Sequence, residues 1–167
     1  MTDTSEKLIK AYDQILKTSK EIVEITKREA TPAILDAIDK AKESVAEATE
    51  LTSEELENVS DYLKRDLHDA AEYIAVGERE LADWLRIDAL YIEDSLLDMF
   101  SHMVDETALA LEEIRTKAEQ ATHWHTGEIT GIGTLSCQSC GELLHFKKTG
   151  HIPPCPKCHK TEFNRCD

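Results

Sequence analysis

Four cysteines near the C-terminus are arranged in two close pairs, and they carry the strongest chemical signal in the sequence. Cys137 and Cys140 form the first pair, Cys155 and Cys158 form the second, and fourteen residues separate the pairs. Four thiolates at this spacing can surround one zinc ion tetrahedrally at about 2.3 Å, which is the closed shell of a structural zinc ribbon. We therefore predict one structural zinc ion per chain, bound by these four cysteines, with no coordination position open for catalysis.

An iron centre of the rubredoxin type is the alternative for the same four cysteines. Such centres use similar cysteine turns, but the loop between the two pairs is normally longer. A fifth cysteine, Cys166, is most simply interpreted as a free thiol in a C-terminal tail. The sequence has no visible secretory or transmembrane segment, so we expect a cytoplasmic, reducing compartment in which paired cysteines bind metal rather than form disulfides.

Histidines close to the cysteine pairs are candidates for a second site or a contact patch. His123, Trp124 and His125 lie together ahead of the first pair. Three further histidines lie among the cysteines: His145, His151 and His159. Because four cysteines already complete a zinc shell, the simplest interpretation places the histidines at the surface or behind the ligands. An exposed Trp124 would favour a contact patch, and a buried Trp124 would mean a packed junction.

The charge of the chain is distributed unevenly, which predicts two modules. There are 34 acidic and 19 basic residues, for a net charge of −15. The part from Thr126 onward carries +1, and the part before it carries −16. We divide the chain into an acidic helical domain over residues 1–122 and a zinc-ribbon domain over residues 123–167. A body this acidic repels phosphate backbones, so any partner is expected to be a protein with a basic surface, and the simpler alternative is a soluble surface whose charge only keeps copies of the protein apart.

Apolar residues in the first thirty positions recur with the spacing of an amphipathic helix. Two adjacent columns repeat every seven residues: Leu8, Ile15 and Ile22, and beside them Ile9, Leu16, Val23 and Ala30. Thr31 and Pro32 then signal a second helix, predicted to reach about Glu50 with a thinner, alanine-rich face. Thr52 and Glu55 have the spacing of a capping box at the start of a third helix.

A longer apolar stripe follows the capping box, in steps of three and four residues like those of a coiled-coil seam. It comprises Leu56, Val59, Leu63, Leu67, Ala70 and Ile74, and it resumes through Leu81, Leu85, Ala89, Ile92, Leu96, Met99 and Met103. Gly77 between the two runs marks a kink or a turn. A last helical stretch is predicted from Glu106 to Gln120, with Leu109, Leu111 and Ile114 as anchors. These patterns predict an antiparallel helical hairpin, or a small bundle, that self-association or a partner would help to bury.

The composition changes after residue 126 from helix-forming to strand-forming. Gly127–Leu135 is rich in glycine and β-branched residues, which predicts a strand that leads to the metal. Further short strands are predicted at Leu143–Phe146 and Glu162–Phe163, with a turn at Lys147–Gly150, and Gly141 permits a turn behind the second thiolate. A segment of this size cannot bury enough core to fold alone, so zinc binding should supply much of its folding free energy. The predicted fold class is mainly α with a small β zinc ribbon.

The chain resembles the YbeL-like zinc-ribbon proteins of Gram-negative bacteria. The residues that carry the resemblance are His125-Thr-Gly-Glu128, Gly131-Ile-Gly133, Leu135, Cys137-Gln-Ser-Cys140, Cys155-Pro-Lys-Cys158 and Phe163. In the helical part, Leu51-Thr52 and Leu63-Lys-Arg-Asp-Leu67 also resemble that family. The resemblance implies a helical N-terminal part, a C-terminal zinc ribbon with the four cysteines as ligands, and no established activity.

A closed metal shell, without a convincing nucleophile, acid–base pair or phosphate loop, favours a non-enzymatic interaction or adaptor protein. One alternative is a transcription-regulatory factor, because an acidic coiled coil followed by a four-cysteine finger resembles the DksA-like factors that act on RNA polymerase. Their Asp-x-x-Asp-x-Ala pattern occurs at Asp36–Ala41 and at Asp66–Ala71, although both matches lie in predicted helices.

Nucleic-acid binding by the ribbon is the other alternative. It would use a small basic face made of Lys147, Lys148, Lys157, Lys160 and Arg165, with Phe146 or Phe163 available for stacking. The small net charge of the ribbon and the acidic neighbouring segment argue against strong binding to phosphates.

Overall fold

The computed structural model describes residues 2–28, 33–76, 79–111 and 123–165. Its helices are α1 (Thr2–Thr26), α2 (Ile34–Ala46), α3 (Ser53–Ala75), α4 (Leu81–Leu85), a 3-10 helix (Ala89–Tyr91) and α5 (Asp94–Leu109). Its strands are β1 (Trp124–His125), β2 (Ile129–Thr130), β3 (Gly133–Cys137), β4 (Leu143–Phe146), β5 (Gly150–His151) and β6 (Glu162–Arg165). The predicted fold class is confirmed, since a mainly helical chain ends in a small antiparallel sheet that carries the four cysteines. Within these ranges, every helix is too short or too polar to span a membrane.

Helix α1 buries the apolar stripe that the seven-residue spacing predicts. The stripe residues are Ile15, Leu16 and Val23, which are fully buried, and Leu8, Ile9 and Ile22, which pack at the edge of the same core. Tyr12 is also fully buried, although the repeat does not include it. Ala30 and the predicted helix start at Thr31 and Pro32 lie outside the described residues.

A capping box begins α3, as predicted. The Thr52 hydroxyl accepts a hydrogen bond from the backbone N–H of Glu55 at 3.2 Å, and the Glu55 carboxylate accepts one from the backbone N–H of Thr52 at 2.7 Å. Two backbone donors that the first helical turn cannot use are satisfied in this way. The helix then buries the residues Leu56, Val59, Leu63, Leu67 and Ala70.

Ion pairs between helices show the directions in which the helices run. These pairs are Lys20–Asp98 and Lys27–Glu106 beside α1 and α5, and Lys42–Glu57 and Lys64–Asp39 between α2 and α3. Residue numbers rise together in the first set, so α1 and α5 run in the same direction. They change in opposite senses in the second set, so α2 and α3 form an antiparallel hairpin, and α1 and α5 pack beside α3.

The predicted apolar run over residues 81–103 is not one helix, and the prediction was wrong there. Helix α4 ends at Leu85, and Arg86 adopts a left-handed conformation with φ of 51°. The reason lies in the ribbon, because the Thr134 hydroxyl donates a hydrogen bond to the Leu85 carbonyl at 2.8 Å. That bond satisfies one of the carbonyl groups left open at the helix end. A 3-10 turn then leads into α5.

The anchors predicted for the last helical stretch are only partly right. Leu109 is 81% exposed rather than buried, whereas Leu111 is buried. Ile114 and the greater part of the stretch predicted up to Gln120 lie outside the described residues, as does Gly77.

The ribbon contains a four-stranded antiparallel sheet in the order β1-β6-β3-β4 and a two-stranded sheet formed by β2 and β5. The strand predicted at Leu143–Phe146 is β4, and the predicted final strand begins at Glu162 and continues to Arg165. The predicted lead-in strand is divided into β2 and β3. The apolar side chains buried within the ribbon are Trp124, Leu135, Leu144, Ile152 and Phe163.

The ribbon packs directly on the helical body. Ile129 and Ile132 are fully buried, and they belong to the core of the helices rather than to the core of the ribbon. Strand β2 contacts α1 and α3, and β3 contacts α4. Thr149 also donates a hydrogen bond to Asp13 of α1 at 2.5 Å. The division between residues 122 and 123 stays a prediction, and the two parts share buried apolar surface.

Candidate metal centre and its attachment to the helices

The two turns that carry the cysteines face each other and bring four sulfur atoms together. The Sγ atoms of Cys137 and Cys158 are 3.5 Å apart, those of Cys140 and Cys155 are 3.6 Å apart, and all four lie within 4.8 Å of one another. Four sulfurs at about 2.3 Å from one tetrahedral ion would be separated by about 3.8 Å. The cluster therefore has the dimensions of a single four-sulfur metal site.

Each cysteine pair sits in a turn of the same construction. The backbone N–H of Gly141 donates to the carbonyl of Cys137, and that of His159 donates to the carbonyl of Cys155, both at 2.9 Å. Gly141 has φ of 74°, as its predicted turn requires. His159 adopts φ of 60° in the equivalent place, which is uncommon for a residue with a side chain.

Backbone N–H groups also point at the sulfurs of these turns. The N–H of Glu142 bonds to Cys140, and the N–H groups of Lys157 and Cys158 bond to Cys155. Burial raises the pKa of the Cys155 thiol, but these donors and the neighbouring thiols lower that pKa to about 7. Donors in these positions stabilise the negative charge that a sulfur carries when it binds a metal.

The donor set fits zinc or iron, which both accept a tetrahedral shell of four thiolates. When bound, the ion links the two turns and supplies folding free energy. Within the described residues, no other group of three or more histidine, cysteine or acidic side chains converges in this way. The histidines beside the cysteines are therefore not part of a second cluster in that part of the chain.

A buried aspartate of α3 attaches the ribbon to the helices. Asp66 is 0% exposed. Its partners are Tyr12 Oη at 2.7 Å, Arg65 Nε at 3.3 Å, Trp124 Nε1 at 2.9 Å, Thr130 Oγ1 at 3.2 Å, the Gly131 N–H at 2.8 Å and Arg165 Nη2 at 3.5 Å. The first two belong to the helices and the other four belong to the ribbon. A carboxylate buried away from water requires such partners. The ribbon must therefore be in place for the charge of Asp66 to be stable inside the helical body, and Asp66 in turn holds the ribbon there.

Comparison with known families agrees with this geometry. A family model described as a zinc-ribbon containing domain matches residues 20–167. The chain belongs to this zinc-ribbon family. The chain is also similar to the uncharacterized protein YbeL of Escherichia coli K12, with 26% identity over 130 residues, covering 77% of this chain and 79% of YbeL. The YbeL proteins of the O6:H1 and O157:H7 strains align to the same extent, and no solved structure matches the chain.

Membership of this family confirms the predicted resemblance to YbeL-like proteins. It also favours zinc over iron for the four-sulfur cluster, because the matched family is a zinc-ribbon family. The relatives are themselves uncharacterized, so they bring no activity, substrate or partner with them.

Two arginines of this zinc-ribbon protein share the Asp66 carboxylate. The Cζ atoms of Arg65 and Arg165 lie 4.8 and 5.0 Å from the ring centroid of Trp124. Burial raises the pKa of Asp66, but the charges of Arg65 and Arg165 and the donors of Gly131 and Trp124 hold that pKa below its usual value. The carboxylate is therefore ionised in the folded protein, and it relies on donors from both parts.

The His123–His125 segment is a packed junction rather than an exposed patch. Trp124 is 1% exposed, and its indole N–H donates a hydrogen bond to the Asp66 carboxylate. His123 and His125 are exposed, and the Nδ1 atom of His125 lies 3.3 Å from a carboxylate oxygen of Glu128. Cys166 lies outside the described residues.

The three histidines among the cysteines have ordinary structural contacts. His145 Nδ1 lies 2.8 Å from the Thr134 hydroxyl, and His151 Nδ1 lies 2.9 Å from the Gly127 carbonyl. His159 contributes its backbone to the second cysteine turn.

The nucleic-acid-binding surface predicted for the ribbon loses one basic residue, Arg165, and one of its two stacking candidates, Phe163, and the prediction was wrong for these two. Arg165 is 7% exposed and faces Asp66, and Phe163 is fully buried. Both lie on β6 with their side chains turned inward, so neither is available to a nucleic acid. Lys147 is exposed, but its ammonium group lies over the ring of Tyr91 at 4.8 Å.

Both matches to the Asp-x-x-Asp-x-Ala pattern lie inside helices, as predicted. Asp36 and Asp39 belong to α2, and Asp39 pairs with Lys64. Asp66 and Asp69 belong to α3, where Asp66 is buried. Neither match forms the tip of a hairpin.

The role of Asp66 in joining the ribbon to the helices was not predicted from the sequence. It lies three positions after Leu63 and four before Ala70, so it falls on the apolar face of the helix. An aspartate on a buried face is itself a signal, because such a charge must find partners.

Proposed function

We propose that the protein is a non-enzymatic interaction or adaptor protein, in which one zinc ion bound by Cys137, Cys140, Cys155 and Cys158 holds the ribbon in shape for a protein partner. The observation that carries this proposal is the closed cluster of four sulfurs within 4.8 Å of one another. Four protein ligands leave no position for water or substrate on a tetrahedral ion. The ion then has a folding role, and recognition belongs to the surfaces around it.

The charge of the helical body supports a partner with a basic surface. Five lysines bond to carboxylates on neighbouring helices or on the segments that join them: Lys7, Lys20, Lys27, Lys42 and Lys64. These pairs use positive charge between the helices and leave the excess of carboxylates outside, in a segment that carries −16. A positively charged protein surface is what such a field attracts.

The proposal places the protein in the cytoplasm. Among the described residues the four cysteines form no disulfide bond, and a reducing compartment keeps thiols available for zinc.

Affinity purification of the full-length, zinc-loaded protein from its native cells tests the proposal. We expect a stable protein partner with a basic surface at physiological ionic strength, and a large loss of that partner at about 0.5 M salt, where the Debye length falls to about 4 Å. The mass of the purified particle distinguishes another protein from a second copy of this chain. Measured catalytic turnover in the absence of any partner would overturn the proposal.

A matched purification with Cys155→Ser locates the binding surface. The substitution removes one proposed zinc ligand and leaves every acidic side chain of the helical body unchanged. Partners that require the ribbon are lost, whereas partners of the helices alone are kept. Metal analysis of both proteins accompanies the experiment, with about one zinc per chain expected for the unchanged protein.

A further inference from the structure

Strand β4 is an outer strand of the ribbon's larger sheet. In the order β1-β6-β3-β4 it has β3 as its one neighbour among the described strands, and the register aligns Leu143 with Ser136 and Phe146 with Gly133. The opposite outer strand, β1, has two residues, whereas β4 has four. We call the side of β4 that faces away from β3 the β4 edge.

The register decides which backbone groups of β4 point outward. The Cys137 N–H donates to the Glu142 carbonyl at 2.9 Å, so the residues of β4 that bond to β3 fall at every second position, including Leu144. The N–H and C=O groups of Leu143 and His145 therefore point away from β3. Within the part of the chain that the structure describes, no hydrogen bond reaches these four groups. They can pair with the backbone of an added strand.

Apart from its short length, the β4 edge lacks the features that usually prevent an outer strand from pairing. Such strands carry lysine, proline or a bulge within the strand, whereas β4 has the sequence Leu-Leu-His-Phe. Leu143 is 43% exposed, and His145 is exposed as well. The edge is therefore accessible, and it favours apolar neighbours.

Exposed apolar side chains lie at both ends of the β4 edge. Leu143 lies at the first end. At the other end, the ammonium group of Lys147 lies over the ring of Tyr91 at 4.8 Å, which places the 3-10 helix beside the end of the strand. Tyr91 is 67% exposed and Leu90 is 90% exposed. These three residues are half of the six large apolar side chains that are exposed in the described ranges.

The charges around the β4 edge distinguish between possible occupants. Lys147 and Lys148 are exposed and follow the strand directly, so they attract an acidic side chain at that end of an added strand. A second copy of the chain is a poor occupant, because each copy carries −15 and pairing would bring two acidic helical bodies together. The same bodies repel a peptide with many acidic residues, so a single acidic residue beside the lysines is favoured.

We propose that the β4 edge binds an extended segment of another protein, with apolar residues at alternating positions and one acidic residue at the end beside Lys147 and Lys148. The segment joins the sheet as a fifth strand and bonds to the outward N–H and C=O groups of Leu143 and His145. This inference rests on the proposed interaction role, and it adds a binding surface on the ribbon that is separate from the acidic helices.

Selection from a phage-displayed library of short random peptides, with the full-length, zinc-loaded protein as the target, tests the inference. We expect the selected peptides to share alternating apolar residues and one acidic residue at an end, and to bind one per chain. On binding, hydrogen exchange measured by NMR should slow at the amides of Leu143 and His145, whereas the amide of Leu144, which already bonds to β3, should change little. Methylation of the peptide nitrogens that face β4 should abolish binding, and methylation of the alternate nitrogens should not.

Leu143→Pro removes one outward donor without removing a bond of the sheet, and proline is tolerated on outer strands. This variant should bind the selected peptides at least about tenfold more weakly, whereas Leu143→Ile, which keeps the N–H, should bind them nearly as well. Lys147→Gln combined with Lys148→Gln should weaken binding severalfold, and Lys40→Gln, at an exposed site of α2, should not change it. The zinc content of each variant shows that its ribbon is folded.

Three results would overturn the inference. The first is that no selected peptide binds with a dissociation constant below about 1 mM. The second is that bound peptides leave the exchange of the Leu143 and His145 amides unchanged. The third is a dimer in analytical ultracentrifugation that Leu143→Pro dissociates, which would make a second copy the occupant. The purification of a basic partner is a separate readout, because such a partner of the helices can be present or absent without changing peptide binding at β4.

Discussion

In the described residues, the helical body has a large apolar core to which all of α1–α5 contribute, whereas the ribbon's own cluster is small and comprises Trp124, Leu135, Leu144, Ile152 and Phe163 with Cys137 and Cys155. The body can therefore rely on hydrophobic burial, and we expect the ribbon to obtain much of its folding free energy from the metal. The dependence also runs the other way. Asp66 lies inside the body, yet four of its six described partners come from the ribbon. We therefore propose that the metal supports the ribbon, and that the ribbon in turn supplies partners for the charge of Asp66 within the helices.

Loss of one proposed zinc ligand should have the largest effect on this arrangement. Cys155→Ser leaves three thiolates and should abolish tight zinc binding, because structural zinc sites contribute about 10–16 kcal/mol of binding free energy that is coupled to folding. Metal analysis and the near-ultraviolet circular dichroism of the two buried tryptophans, Trp84 and Trp124, measure the outcome. Cys166→Ser, the same change at the cysteine outside the pairs, is the control. Full zinc occupancy and unchanged stability in Cys155→Ser would contradict the proposed ligand set.

Removal of the Asp66 carboxylate should come next. Asp66→Ala removes the carboxylate that faces the buried guanidinium of Arg165 and the acceptor of the Trp124 indole N–H, and breaking a buried ion pair in this way costs about 3–5 kcal/mol. Urea unfolding measures the change. Asp61→Ala, at an exposed site of the same helix, should change the free energy of unfolding by less than about 0.5 kcal/mol. Equal effects of the two substitutions would show that the Asp66 carboxylate does not attach the ribbon to the helices.

Gly131, where the ribbon packs against α1, offers a steric test. A Cβ atom on Gly131 would lie 2.6 Å from the Tyr12 hydroxyl, whereas one on Gly150 would meet nothing closer than 3.8 Å. Gly131→Ala should therefore destabilise the protein by about 1–3 kcal/mol, and Gly150→Ala should have little effect. Thermal unfolding of the two variants compares them directly. A Gly131→Ala protein as stable as Gly150→Ala would show that the contact between α1 and the ribbon is loose.

Acid should weaken the contact between the ribbon and the helices by protonating Asp66. The pKa of this carboxyl is lower in the folded protein than its unfolded value of about 3.9. The resulting stability is fully present above pH about 4 and is lost as the pH falls through the folded pKa, with a slope of at most about 1.4 kcal/mol per pH unit. Stability measured between pH 6 and the acid limit, for the unchanged protein and for Asp66→Asn, tests this sign. A slope that Asp66→Asn leaves unchanged would assign the acid sensitivity to other carboxyls.

The contact between Asp13 of α1 and Thr149 of the ribbon should show the smallest effect. Its dependence of stability on pH should have the opposite sign to that of Asp66. Burial raises the pKa of Asp13, the bond from Thr149 lowers it and the charge of Glu93 raises it, so the pKa is above its usual value. Its contribution to stability is present below pH about 3.9 and is lost as the pH rises through the folded pKa. Asp13→Asn should therefore stabilise the protein slightly at pH 7, by less than about 1 kcal/mol. Asp105→Asn, at an exposed site of α5, is the matched control, and destabilisation by Asp13→Asn would contradict the sign.

The sequence predicts those features whose causes are close together along the chain. The capping box at Thr52 needs only residue 55, and β4 follows from a short apolar run. The break after Leu85 could not be predicted in the same way, since it depends on Thr134, forty-nine residues further on. The burial of Arg165 on β6 likewise depends on Asp66, which is distant in sequence. The sequence around Arg165 therefore predicts a surface residue.

Hydrogen exchange measured before and after chelation of zinc is the most direct test of the central claim, that the metal folds the ribbon and the ribbon secures α3. We predict that amides of residues 123–165 lose their protection when zinc is removed. Amides of α3 around Asp66 and of α1 around Tyr12 should lose part of theirs, while those of α2 keep most of it. Retained protection in the ribbon without zinc, or a fully exchanging ribbon with α3 unchanged, would contradict the account.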